Sequence, residues 1–302
     1  MFAVEIRQAL GVVDLVDLIK QQNSEYSLSD ISEFSIKFIS DGRSPLPNSV
    51  CFVESVAEIK PVKNVFYIAP EAILNATCIV VNDPRYAFIK LLSYFQENDL
   101  THGLDLRHRE RGVHPSSKIH SSVIIEPCVV VGQNSLISAG CVLKKGTVIG
   151  SDCIVRENTV IGCDGIALYK AKNDEVLRFP HLSGVEIGNN VEIGANSVIV
   201  KGTLAPTKIE DDVVIGNLCN IGHGVIVKTK VWMSVGTLIG GNCIIENRAT
   251  IGLGVAVKDN LQIAENTSIG MGSVVTKSTD VDFSYFGNPA KPIRKLKTGP
   301  SR

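Results

Sequence analysis

Every sixth residue of most of this chain is aliphatic. From Val113 to Ile161, from Ile187 to Ile199 and, after a four-residue slip, from Ile209 to Val275, each six-residue step lands on Val, Ile, Leu or Met. The residue two places earlier is Ser, Thr, Cys, Val or Ala throughout, except at Arg111 and Leu261. A period of six fits neither the 3.6-residue turn of a helix nor the two-residue alternation of a strand. It fits a hexapeptide parallel β-helix, in which short strands stack coil on coil. The aliphatic residue then points into a narrow prism, and the small residue sits where the interior has little room. Each coil buries its face only against its neighbours, so stability is roughly a sum over coils. Glycines that follow the aliphatic slot, as in "IGNNVEIGANSVI", are expected to serve turns with positive φ.

The pattern also accounts for half of the cysteines. Cys141, Cys153, Cys219 and Cys243 fall in the small interior slot and read as buried small hydrophobes. Cys51, Cys78, Cys128 and Cys163 show no metal-ligand spacing, and no metal site is expected.

Residues 1–100 lack the repeat. "VVDLVDLIKQQN" has helical apolar spacing, "SVCFVES", "NVFYIA" and "ATCIVVN" read as short strands, and "PRYAFIKLLSYFQ" as an amphipathic helix. The fold class is therefore mainly β, a hexapeptide β-helix preceded by a small α/β domain. The expected division is an α/β domain at 1–100, a charged linker at 101–112, the β-helix at 113–278 with an insertion at 163–184, and a C-terminal cap or tail at 279–302. Insertions in a solenoid loop out on one face, often the binding face.

The 302 residues carry 30 basic and 31 acidic side chains, a formal charge of −1. That balance argues against a broad electrostatic footprint for nucleic acid or anionic membrane. No apolar run approaches the ~18 residues of a membrane span, and "MFAVEIRQAL" lacks the plan of a signal peptide. The cytoplasm is the default location.

Six histidines remain to be placed. His102 and His108 lie in the charged linker and read as solvated; His114 and His120 lie in the first coil, where repeats are atypical. His181 lies in the large insertion, where it is a candidate for the lip of a site. His223 follows the slot residue Ile221 by two. Elsewhere that offset carries residues such as Gln133, Lys145, Asn189 and Asp211, so it faces outward. His223 is either a solvated surface histidine or a general base, for which an ordinary pKa near 6.5 suits neutral pH. Three hexapeptides make one coil, so 18 residues on lies the same corner of the next coil, about 4.8 Å away. For His223 that residue is Gly241, in "LIGGNC". An N–H exposed there suits an oxyanion, and a base beside an oxyanion donor is the pair that acyl transfer requires.

From about residue 66 to 296 the chain resembles the UDP-3-O-acylglucosamine N-acyltransferase family. The resemblance rests on "ATCIVVNDPRYAFIKLL", "GVHPSSKIHSSVII", "VIGCDGIALY", "VEIGANSVIVKGTL", "TKIEDDVVIGNLCNIGHGV" and "SYFGNPAKP", in family order and near-family spacing. It implies a left-handed β-helix, a homotrimer with sites between neighbouring β-helices, and an N-terminal domain that helps hold a nucleotide sugar. The family's catalytic base maps onto His223 and its oxyanion glycine onto Gly241. Departures are visible. A second functional His of the family aligns with Asn260 in "KDN". An Asp seven residues before the base is Gly216. The nucleobase region keeps Phe52 but has Ser55 and Glu58 in place of Asn and Tyr. The ending "GNPAKPIRK" resembles that of coenzyme A-dependent hexapeptide acetyltransferases, with Gly287, Asn288, Lys291 and Arg294 as candidate donor-binding residues and Lys295 and Lys297 adding to the basic set.

The expectation is an acyltransferase. It would move an acyl group from acyl-CoA or acyl carrier protein, with no permanently bound cofactor, to the amine of a nucleotide-linked amino sugar for surface polysaccharide or lipopolysaccharide. Phe52, His181 and Asn260 are candidate substrate-binding residues. Three alternatives stay open: the lipid A enzyme itself, a sugar O-acetyltransferase, and a non-catalytic β-helix that binds or scaffolds.

Overall fold

A computed structural model describes residues 3–21, 26–29, 32–42, 45–57, 59–101 and 112–295. They fall into two compact units. One gathers the chain up to 101 together with 166–182 and 203–205; the other holds 112–165, 183–202 and 206–295. The linker histidines His102 and His108, and Glu58 and Lys297, lie outside the described residues.

The N-terminal unit is a six-stranded mixed sheet in the order Ala3–Gly11, Ser35–Ser40, Ser49–Phe52, Val65–Ala69, Thr77–Val81, Tyr26–Ser29. The strands from Ser35 to Val81 run parallel, and both edge strands are antiparallel to their neighbours. Helices α1 (Val12–Lys20) and α2 (Pro84–Glu97) cover it. The strands expected from "SVCFVES", "NVFYIA" and "ATCIVVN" are all present. The two edge strands and Ser35–Ser40 were not legible. They carry only partial alternation, as in buried Val4 and Ile6 around exposed Glu5.

The α2 start is built from local chemistry. Pro84 takes the first turn, where its missing N–H costs nothing, and the Asp83 carboxylate accepts from Tyr86 N at 3.0 Å. Its apolar face, with Phe88, Leu92 and Phe95, is fully buried.

The insertion changes owner. Leu168–Lys170 and Val176–Arg178 form a hairpin that belongs to the N-terminal unit. Tyr169 Oη donates to Asp83 Oδ1 at 2.8 Å. Glu175 accepts from Tyr86 Oη at 3.0 Å and from Lys90 Nζ at 2.7 Å. The hairpin is thus pinned to the first two turns of α2.

The second unit is the β-helix. Three sheets of ten, eight and seven strands form its faces, parallel throughout except for the returning cap strand of the ten-stranded one. Ile215, Met233 and Ile251 pair in register at 18-residue steps. Across the insertion Ile161 still pairs with Ile199, so the stack is continuous. From Val131 to Val275 every aliphatic slot is 5% exposed or less, and the small slots, including Cys141, Cys153, Cys219 and Cys243, are closed off as well. All eight cysteines are free thiols.

One expectation is corrected. Most glycines directly after the slot do not take positive φ; that conformation falls two residues later, at positions such as Gly224, Asn242 and Asn260. The first glycine serves close approach instead. A Cβ on Gly194 would lie 2.4 Å from the Asn217 nitrogen of the next coil. Gly216 is held by the same constraint, 2.8 Å from Ser234 C and Val235 N. A side chain there would press on backbone.

Phe283–Phe286 continues the ten-stranded sheet, and Lys291–Lys295 turns back antiparallel along it. Tyr285 takes the interior slot after Ile269 and closes that end of the core.

Candidate functional site

The corner after Asn220–Ile221 is tightly fixed. Gly222 N donates to Ile239 O at 2.9 Å, His223 O accepts from Asn242 N at 2.8 Å, and Gly224, at φ +67°, donates to Thr207 Oγ1 at 2.9 Å. The backbone of His223 is therefore held on both sides, and its side chain is half-buried.

The imidazole leans toward the next coil. A Cβ on Gly241 would lie 2.5 Å from His223 Nε2 and 2.6 Å from Cε1. The ring occupies the space that any other residue at 241 would fill. Gly240 is constrained separately, since a Cβ there would lie 2.5 Å from Asp259 N. The double glycine thus answers two demands. The coil-to-coil ladder runs through Gly240 N to Val257 O and Asn242 N to His223 O, and the Gly241 N–H between them takes no part in it. Base and open amide meet at one corner, as the 18-residue step predicts.

Burial pushes the His223 pKa below its ordinary value, with the Asp259 carboxylate pulling the other way and losing. A lowered pKa leaves the ring neutral, and able to accept a proton, at pH 7. Asp259 stands two residues past the slot Val257, in the same column as His223 and Gly241. The sequence holds the signal at a 36-residue step from His223. Asn260 itself takes φ +59°, donates its backbone N–H to Gly241 O at 2.9 Å and its side-chain amide to Asp259 Oδ2. It is a turn residue that also holds the carboxylate.

Phe52 is in the N-terminal unit, its ring 4.9 Å from Phe88 and 5.7 Å from the Arg85 guanidinium. His181 belongs to that unit too and is 4% exposed, so burial removes it from a solvent-facing lip. Gly287 (φ +103°), Asn288, Lys291 and Arg294 form the cap turn and its exposed return strand. His114 and His120 are exposed, each bonded through Nδ1 to a serine two residues on. A separate hollow of about 450 Å³, lined by Arg156, Glu192, Val214, Gly216 and Val235, does not include His223. Among the described residues no cluster of three His, Cys, Asp or Glu is placed to hold a metal. No described helix is long and apolar enough to cross a membrane.

Comparison with known proteins bears on the repeat and the fold. Residues 128–163 match the bacterial transferase hexapeptide (six repeats) family. A UDP-3-O-acylglucosamine N-acyltransferase of Delftia acidovorans is 39% identical over 164 residues, covering 51% of this chain and 47% of that one. Its namesake in Shewanella denitrificans is 30% identical over 38% of this chain and 28% of its own. The chain thus spans less than half the length of these relatives. The solved UDP-N-acetylglucosamine acyltransferase of Francisella novicida has a TM-score of 0.51 at 23% identity, over 61% of this chain and 68% of that one, a likeness of fold. By repeat and fold the chain is a hexapeptide β-helix, and over about half of its length it is similar to a UDP-3-O-acylglucosamine N-acyltransferase.

Proposed function

We propose that the chain is an N-acyltransferase that moves an acyl group from a thioester to the amine of a nucleotide-linked amino sugar. The observation that carries this reading is the His223 ring set against Gly241, with the glycine amide outside the ladder. Neutral His223 takes a proton as the amine nitrogen attacks the thioester carbonyl. The new C–N bond forms, and the carbonyl electrons move to an oxyanion that accepts from the Gly241 N–H. The C–S bond then breaks, and the thiolate leaves with the proton that His223 returns.

The donor is acyl-CoA or acyl carrier protein, and the cap residues Lys291 and Arg294, both exposed, are suited to its phosphates. The amino sugar is one destined for surface polysaccharide or lipopolysaccharide, in the cytoplasm. The names of the relatives favour a UDP-linked acylglucosamine as the first acceptor to assay. Assembly into a homotrimer is part of the reading; Trp232, Leu253 and Met271 are exposed apolar side chains of the β-helix that such an assembly would cover.

The test is an acyl-transfer assay with UDP-linked amino sugars and with CoA and carrier-protein thioesters of several lengths, read by mass spectrometry for amide or ester product. His223→Ala is expected to lower kcat/KM by about 10² to 10⁴. Near-wild-type turnover by that variant would overturn the mechanism. An ester product would transfer the same base to a hydroxyl acceptor.

A further inference from the structure

We propose that Asp259 is a positioning residue for His223, its carboxylate acting across the open corner at Gly241 to steady the imidazolium formed when the ring takes the substrate's proton. The proposal rests on the function given above.

Three successive coils contribute to one corner. Val257 pairs in register with Ile239, which pairs with Ile221, and each corner residue lies two past its slot. His223, Gly241 and Asp259 therefore stack in a column. Two coil spacings separate the outer pair at the backbone, about 9.6 Å from the ~4.8 Å strand repeat. The His223 ring closes part of that gap. The imidazole reaches the place a Cβ on Gly241 would take, and a Cβ on the adjoining Gly240 would meet Asp259 N at 2.5 Å. A side chain at 241 would collide with the ring; glycine lets the ring stand there.

Asp259 is an exposed residue. Its visible partner, the Asn260 side-chain amide, would serve a neutral Asn there equally well. The other groups around the ring do not duplicate its role. Lys201, at the same corner of the preceding coil, is paired with Asp164 at 2.8 Å. Thr207 is neutral and engaged by Gly224 N, and Asn242 is neutral. Lys258 neighbours Asp259 in sequence. The Coulombic influence resolved at His223 is that of Asp259, favouring the charged ring against the penalty of burial. The chemistry needs that contest. A base buried without a counter-charge is neutral at rest but poorly able to hold a proton in mid-reaction, whereas a carboxylate across the reacting centre acts most when the imidazolium forms.

The test compares Asp259→Asn and Asp259→Glu with wild type in two readouts. In the first, the His223 ring is titrated by NMR on histidine-labelled protein without substrate, its resonance assigned by its loss in His223→Ala. Asp259→Asn is expected to move the midpoint to lower pH, and Asp259→Glu to keep it near wild type. In the second, Asp259→Asn is expected to lower kcat about tenfold with KM little changed, to carry the acid limb of the rate profile to lower pH, and to be rescued by Asp259→Glu. A ring midpoint unmoved by Asp259→Asn overturns the proposal, whatever the acceptor. A full shift in a chain that transfers no acyl group to any acceptor supports the pairing and overturns the assigned reaction.

Discussion

His223 shows how one corner residue can be both fixed and reactive. Its backbone is tied to Asn242, its ring rests on a residue with no side chain, and burial keeps it neutral. The sign of the pH effect follows. A lowered pKa means that the base form is full at neutral pH, and activity should fall only as pH drops below the ordinary histidine range near 6.5. Gly241→Ala tests the geometry directly. The added methyl group would lie 2.5 Å from Nε2, and the ring, as the free end of a side chain, would swing away rather than distort the coil. A displacement of about 1 Å at a reacting group costs on the order of 10²-fold in rate. The variant is expected to keep its circular dichroism and melting temperature while losing activity by about that factor. Full activity would show that the corner needs no glycine. The pair His223–Gly241 was legible because stacking converts an 18-residue step into contact. Asp259 was missed because its step is twice as long and its neighbour Asn260 drew the functional reading.

At the scale of elements, the hairpin within 166–182 and helix α2 form one device. Asp83 caps the helix through Tyr86 N and also accepts from Tyr169 Oη at 2.8 Å and Lys172 N at 3.2 Å. Partial burial raises its pKa, but these hydrogen bonds outweigh it and the net is lowered. The stabilisation is therefore full above the unfolded carboxylate value near 3.9 and is lost as pH falls through the folded value. Asp83→Ala removes a cap and two further bonds, and is expected to destabilise this unit by about 1–3 kcal/mol. Hydrogen exchange should rise at 168–178 and in the first turn of α2 and stay unchanged at β-helix amides such as Val227. Equal rises in both units would refute the assignment of the hairpin. This ownership was hidden in the sequence. The break in the six-residue period marks where the chain leaves the β-helix, but the residues that receive it, Tyr86, Lys90 and Asp83, lie about 85 positions earlier. Periodicity reports short-range order and cannot see such a partner. The β-helix, by contrast, is wholly a matter of period, and every slot from Val131 to Val275 lies where the count puts it.

At the scale of the whole β-helix, each coil is stabilised mainly by its neighbours, so the last coil depends on what covers it. The cover is Tyr285. It is 7% exposed, stands in register with Ile269, donates its hydroxyl to Asp280 Oδ2 at 3.1 Å and accepts from Asp280 N at 2.9 Å. Phe286 fills the space over Gly270 beside it. Replacing Tyr285 with Ala would expose the Ile269 end of the core and leave the Asp280 carboxylate without its donor, at a cost of about 3–5 kcal/mol typical of a large aromatic truncated in a core. In a globular fold such a loss spreads over the whole molecule. In a stack it is borne by the end. Hydrogen exchange should therefore rise most at Ile269 and Val274, less at Ala256, and little at Ile226. The gradient reaches the coil of Asp259 before that of His223, so the variant should weaken the influence of the carboxylate on the ring while leaving the ring in place. A uniform rise along the β-helix would mean that the coils unfold as one unit, and that the cap guards the site only by guarding everything.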